Sequence, residues 1–207
     1  MTLQKGREDL EEFSIKSFLI DKRVLILQFV LTLFLYNKFG FSVNFIIWTI
    51  LLYILVVLSI IDYKFKAVPD YLLLLLLVIS PFVSDSFIDF IRNGFIFAGG
   101  FVILNFFVTY YIQNIKSRIL KDDTLKEQTA LGEGDIPLLA FIGGILGIKL
   151  GLLAIMIASL VALIHGIYNA SKKIPDTPFI PYLSIGFITV FLMQETIYNT
   201  FSNWILQ

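Results

Sequence analysis

Apolar residues along this chain gather in long blocks, at about 24–37, 43–61, 71–83, 94–112, 136–148, 150–168 and 179–196, with polar residues confined to the gaps. A helix needs about 20 apolar residues to cross a bilayer, with ~17–25 the usual range. The pattern therefore predicts an all-α, polytopic membrane protein with about seven transmembrane helices. The blocks at 24–37, 71–83 and 136–148 are short. They need flanking residues to complete a crossing, a locally thinned bilayer, or a place inside the bundle. Residues 1–23 are mixed and charged and lack the basic start, apolar core and cleavage site of a signal peptide. They are expected to form a cytoplasmic N-terminal segment, either solvated or lying on the membrane through Phe13, Ile15, Phe18, Leu19 and Ile20. Residues 24–207 carry no internal repeat or Ser-rich linker and read as one membrane-embedded domain. The one long polar connection, 113–134, is expected to be solvated, partly helical and mobile.

Composition agrees with this class: 57% of residues are hydrophobic, mean hydropathy is +0.85, and 21 of 207 residues are phenylalanine. A formal net charge of zero gives no case for nucleic-acid binding. With no cysteine and one histidine, disulfides and Cys-ligated metals are excluded, and no cofactor is expected. Chemistry has to come from carboxylates, hydroxyls or backbone. The basic residues set the orientation. Lys16, Lys22 and Arg23, then Lys64 and Lys66, then Lys116, Arg118, Lys121 and Lys126, then Lys172 and Lys173 occupy alternate loops, against only Lys38, Arg92 and Lys149 in the others. This predicts a multi-pass protein of the inner membrane with its N-terminus in the cytoplasm, and Asp62, Asp70 and Asp135 together on the cytoplasmic side.

Two stretches stand out. In Ala130-Leu131-Gly132-Glu133-Gly134-Asp135-Ile136-Pro137, two glycines and two acids stand at the mouth of an apolar block. In the other, Asp62 ends one block and Pro69-Asp70 opens the next. A carboxylate at bilayer depth costs about 2.5–3.5 kcal/mol on insertion scales, so such an acid points to function with a nearby partner. Glycines permit tight turns and close approach, and Pro137 suits the first turn of a helix. Asp62 and Asp135, on different helices at one membrane face, are candidates to share a water for acid–base hydrolysis. The blander reading is a helix-end acid in interfacial water or paired with Lys64 or Lys66. Asp70 is expected mainly to cap a helix and meet its dipole, or else to shape the site and meet substrate. Glu133 reads as a solvated residue, and His165 as one that satisfies a hydrogen bond between helices. Gly143, Gly147 and Gly151 form a small-residue stripe for helix packing, a role Gly99 and Gly100 share. Pro175, Pro178 and Pro181 mark a bent start to the last span.

The pair Asp62…Pro69-Asp70 and Gly132-Glu133-Gly134-Asp135, with Leu138-Leu139-Ala140…Gly143-Gly144…Gly147 beyond it, resembles the prepilin peptidases, membrane aspartic proteases of the Gly-x-Gly-Asp class. The resemblance covers roughly residues 45–190 and implies that 24–207 is a peptidase domain. It implies Asp62 and Asp135 as catalytic residues, with Asp70, Pro69, Gly132 and Gly134 shaping the site or meeting substrate. The substrate implied is a prepilin or pseudopilin with a basic leader before an apolar helix, and the partners are the lipid bilayer and pilus or secretion assembly proteins. Relatives with two N-terminal Cys-x-x-Cys pairs also methylate the new N-terminus. This chain lacks cysteine and reads as a short form that leaves the product unmethylated. It also has Pro137 where relatives often carry lysine. The competing class is a non-enzymatic transporter or assembly subunit whose acids carry protons or ions, or a pilin-binding relative without activity. The absence of internal repeats and the one-sided placement of the acids weigh against a transporter.

Overall fold

A computed structural model of the chain describes residues 22–132, 134–171 and 178–205. Among the described residues every regular element is helical. The elements are α1 (Lys22–Phe39), α2 (Val43–Phe65), α3 (Asp70–Ile79), α4 (Phe87–Tyr110), α5 (Ser117–Leu120), α6 (Asp135–Ser171) and α7 (Ile180–Ile205). A 3-10 turn, Ser80–Val83, extends α3, and a π-helical stretch, Tyr111–Lys116, joins α4 to α5. Residues 1–21 lie outside the described residues, as do Glu133, Lys172, Lys173 and Pro175.

Local chemistry fixes most of the boundaries. Gly40, at φ +59, lets α1 end, and its amide donates to the Tyr36 carbonyl at 2.9 Å. Ser42 then caps α2 by accepting from the Phe45 amide at 3.2 Å, so two helices of opposite direction are joined within a few residues. Lys66 closes α2 in the left-handed region, donating its amide to the Asp62 carbonyl at 2.8 Å. Ser86 caps α4 by accepting from the Asp89 amide.

The centre of the bundle is α2, which packs on α1, α3 and α7 and buries Trp48, Leu51, Leu55 and Leu58. Trp48 meets Phe191 of α7 at 4.3 Å between ring centroids, and Phe187 of α7 meets Phe141 of α6 at 4.8 Å. Outward faces are apolar too: Phe95, Ile103, Phe106 and Phe107 of α4 are all largely exposed. An apolar face of that extent belongs against lipid.

Four helices are long and apolar enough to cross a membrane: Val43–Phe65, Phe87–Leu120, Asp135–Asn169 and Ile180–Thr200. Val24–Phe39 and Asp70–Val83 are apolar but shorter. The expected count of about seven is not reached on these criteria, because the helices of blocks 24–37 and 71–83 are too short and blocks 136–148 and 150–168 fall in the single element α6. That element is nevertheless bent back on itself at Gly147, whose φ of 71° and ψ of −180° leave the helical region. A Cβ built on Gly151 would stand 3.5 Å from the Gly143 Cα, whereas eight residues of unbroken helix would separate them by about 12 Å. The first arm runs with α7, from Gly134 beside Ile180 to Phe141 beside Phe187, and the second runs against it, from Ala154 beside Gly186 to His165 beside Tyr182. The small-residue stripe is corrected accordingly. Gly143 and Gly151 receive Phe97 of α4 from opposite arms, while Gly147 is the turn between them. Gly99 and Gly100 have nothing within 4 Å of an added Cβ, so they mediate no close packing here.

The connection 113–134 is partly helical, as expected, since α4 continues through the π-helical stretch and α5 to Leu120. Asn105 and Thr109 of α4 anchor the chain on its return: Asn105 Oδ1 accepts from the Leu131 amide and Thr109 Oγ1 from the Ala130 amide, both at 3.0 Å. These bonds return the chain to the turn from Gly132 to Asp135. At the tip, Asp122 accepts from the Thr124 hydroxyl and amide, which holds its carboxyl below the usual range.

Candidate active site

Asp62 lies in the last turn of α2 and is 8% exposed; Asp135 opens α6 and is 6% exposed. Neither is a helix-end acid standing in interfacial water. The Ile180 amide donates to Asp62 Oδ2 at 3.1 Å, and the Phe179 amide is a second backbone donor to the same carboxyl. Ile180 is the first residue of α7, where the backbone N–H groups have no partner inside the helix and the dipole favours negative charge. Asp62 thus serves α7 as a carboxylate cap supplied from another helix.

Asp135 is held by its own loop. Its Oδ2 accepts from the Gly132 amide at 2.9 Å while its amide donates back to the Gly132 carbonyl at 3.2 Å. Gly132 stands so close that an added Cβ would lie 3.3 Å from the same carboxylate oxygen. Gly134 makes the seam between the two acids. A Cβ there would be 2.4 Å from Val68 Cγ2 and 3.5 Å from both Leu73 and Ile180 side-chain carbons. The bare backbone of residue 134 therefore presses on the α2–α3 link and on the residue whose amide holds Asp62. The carboxyls of Asp62 and Asp135 come near enough to act on one another electrostatically. One turn deeper, the Ser59 hydroxyl donates to Ser184 Oγ at 2.8 Å and binds α2 to α7 beneath the pair.

Asp70 does not join them. It is exposed at the first residue of α3, and the cap position is Pro69, which makes no side-chain cap hydrogen bond. The expectation of a capping carboxylate is corrected to that of a charge in the first turn, because Asp70 lies one position inside the helix. Pro69 contributes its carbonyl, which accepts from the Leu72 and Leu73 amides. Among the described residues no group of three or more His, Asp or Glu could enclose a metal ion.

Beside the pair lies a cleft of about 580 Å³, bounded by Tyr63, Val161, Ile164, His165, Tyr182 and Ile185. His165 Nδ1 is hydrogen-bonded to the Tyr182 hydroxyl, linking the second arm of α6 to α7. His165 was legible as an interhelical polar residue, whereas its partner Tyr182 and the amide of Ile180 were not singled out. The prolines at the start of α7 were the available signal: Pro178 is buried beside Phe179, and Pro181, in the first turn, lines the cleft.

Fold and site together define a multi-helix membrane protein with two buried carboxyls gathered at one end of its bundle. The chain belongs to the type IV leader peptidase family, whose family model matches residues 49–167. It is accordingly a leader-peptidase-like protease, and the family implies prepilin-type substrates. The matched stretch holds Asp62, Asp70, Gly132, Gly134, Asp135 and His165 but stops before Ile180 and Tyr182. Comparison with curated proteins and with solved structures finds no match.

Proposed function

We propose that this peptidase is of the aspartic type, with Asp62 and Asp135 as its acid–base pair, and that it removes the basic leader of prepilin or pseudopilin precursors at the cytoplasmic face of the inner membrane. The observation that carries this reading is the seam at Gly134, where the residue before Asp135 packs on the residue whose amide holds Asp62. Carboxyls set close together share one proton and titrate as a pair. The ionised member takes a proton from water, whose oxygen attacks the scissile carbonyl carbon. The protonated member donates to the carbonyl oxygen. As the C–N bond breaks, the leaving nitrogen takes up a proton from the pair, and two chain ends are released. Asp62 is positioned by the Ile180 and Phe179 amides and Asp135 by the Gly132 amide, so the pair is oriented by backbone. Pro69 and Asp70 shape the rim.

The basic residues support the cytoplasmic placement. Lys64 and Lys66 closely follow Asp62, and Lys116, Arg118, Lys121 and Lys126 lie between α4 and the loop that leads to Asp135. A basic leader kept on that side, with an apolar helix after it in the membrane, would bring its junction to this depth. Co-expression with a prepilin-like precursor tests the activity: the expected result is a shorter product with the leader removed. A precursor that stays full length beside abundant membrane-inserted protein would overturn the assignment.

A further inference from the structure

The cleft beside the acids is not accounted for by the chemistry of the pair. At about 580 Å³ it falls in the roughly 300–1,000 Å³ range of ligand pockets. Its walls are the second arm of α6, from Val161 to Tyr168, and the first turns of α7, from Pro181 to Ile185. The α6 wall runs roughly 10 Å, about two helical turns. The lining of the cleft adjoins the candidate site along the chain. Tyr63 directly follows Asp62, and Pro181 and Tyr182 directly follow the Ile180 amide that holds Asp62. It opens sideways, since Tyr63, Ile164 and Tyr168 on its edge are more than half exposed.

Its lining is apolar except for the aromatic hydroxyls and His165. The Tyr182 hydroxyl is already bonded to His165 Nδ1, but its oxygen keeps a second lone pair, and a lipid tail gives that lone pair no partner. The first turn of a helix does, because its leading backbone N–H groups have no acceptor inside the helix. We propose that this cleft seats the first two turns of the precursor's apolar helix, the part just after the scissile bond, with the Tyr182 hydroxyl, held by His165, facing that helix's free N–H groups. The proposal rests on the prepilin-type reading above and specifies where the part of the substrate that remains after cleavage lies. The smaller apolar cleft between α4 and α6, about 230 Å³ and lined by Phe97, Gly100, Phe101 and Leu152 among others, offers a control of similar character. It has no polar side chain and no residue adjoining either acid.

Because the chain contains no cysteine, the test is a disulfide trap. Ile164→Cys places a thiol on the rim of the first cleft and Leu152→Cys on the second, both at exposed positions. Each variant is co-expressed with a precursor carrying one cysteine in the first two turns of its apolar helix, and the membranes are oxidised. The expected result is a protease–precursor disulfide with Ile164→Cys at least several-fold above that with Leu152→Cys. Equal linking at the two positions, no linking at Ile164→Cys, or linking of Ile164→Cys only to a second copy of itself overturns the proposal. Cleavage of the same precursor by the unaltered chain is read separately. Linking without cleavage keeps the cleft and removes the protease assignment, and cleavage without linking does the reverse.

Discussion

At position 134 a hydrogen stands where any other residue would put a carbon 2.4 Å from Val68 Cγ2. Valine is stiff about its one side-chain torsion, so it has little room to give way. Gly134→Ala is therefore expected to push the Asp135 loop off the α2–α3 link, at about the 1–3 kcal/mol typical of overpacking, and to reduce precursor processing sharply. Gly132→Ala meets only a 3.3 Å contact with Asp135 Oδ2 and should reduce it less. The fraction of precursor cleaved at matched membrane levels checks the order, and a Gly134→Ala protein as active as Gly132→Ala would contradict it. Asp70→Asn should keep most activity, since the lost charge meets only the dipole of α3, an effect of about 0.3–1 kcal/mol at an exposed site. A processing assay showing loss as deep as that of the buried acids would make Asp70 part of the machinery. The acids themselves were legible because a charge at the end of an apolar block is conspicuous. The donors that hold them were not, since the amides of Ile180 and Gly132 are backbone and carry no residue-type signature.

Among the elements, α6 is the one whose path depends most on a single backbone angle. Gly147 has φ +71° with an extended ψ, a region open essentially to glycine alone, and strain there costs of order 1–3 kcal/mol for other residues. Gly147→Ala should lower the thermal unfolding midpoint of the purified protein. Gly99→Ala, mid-helix with nothing within 4 Å of its new methyl, should leave it unchanged or raise it. The opposite ranking would mean that the chain does not reverse at Gly147. Blocks 24–37, 43–61, 71–83, 94–112 and 179–196 correspond to α1, α2, α3, α4 and α7, because length and hydropathy alone mark apolar helices. The reversal was placed less well. Lys149 suggested a polar loop between two spans, whereas Gly147 makes the turn with almost no loop, so the glycine period of four looked like one packing face. Partial helix in the polar connection 113–134 was legible, because polar side chains do not stop a helix from extending beyond the apolar layer.

For the molecule as a whole, the basic residues predict one orientation. Lys121→Cys in the otherwise cysteine-free chain should react with an impermeant maleimide only after the membrane is opened, and Phe41→Cys, at the turn between α1 and α2, should react in intact cells. Reversed labelling would put the acids on the outer face. The site exists only when three distant parts of the chain meet: Asp62 from α2, Asp135 from α6 and the amide of Ile180 from α7. If the two carboxyls act as one unit, removing either removes the reaction. Asparagine keeps the size of aspartate but cannot carry the proton, and acid–base assistance is worth about 10²–10⁴-fold. The most direct measurement is the rate of leader removal by Asp62→Asn, Asp135→Asn and the double variant, at matched amounts of membrane-inserted protein. The account predicts a loss of about 10²-fold or more in each single variant and little further loss in the double, because residues acting together are not additive. Near-normal cleavage by either single variant, or single losses that multiply in the double, would contradict it.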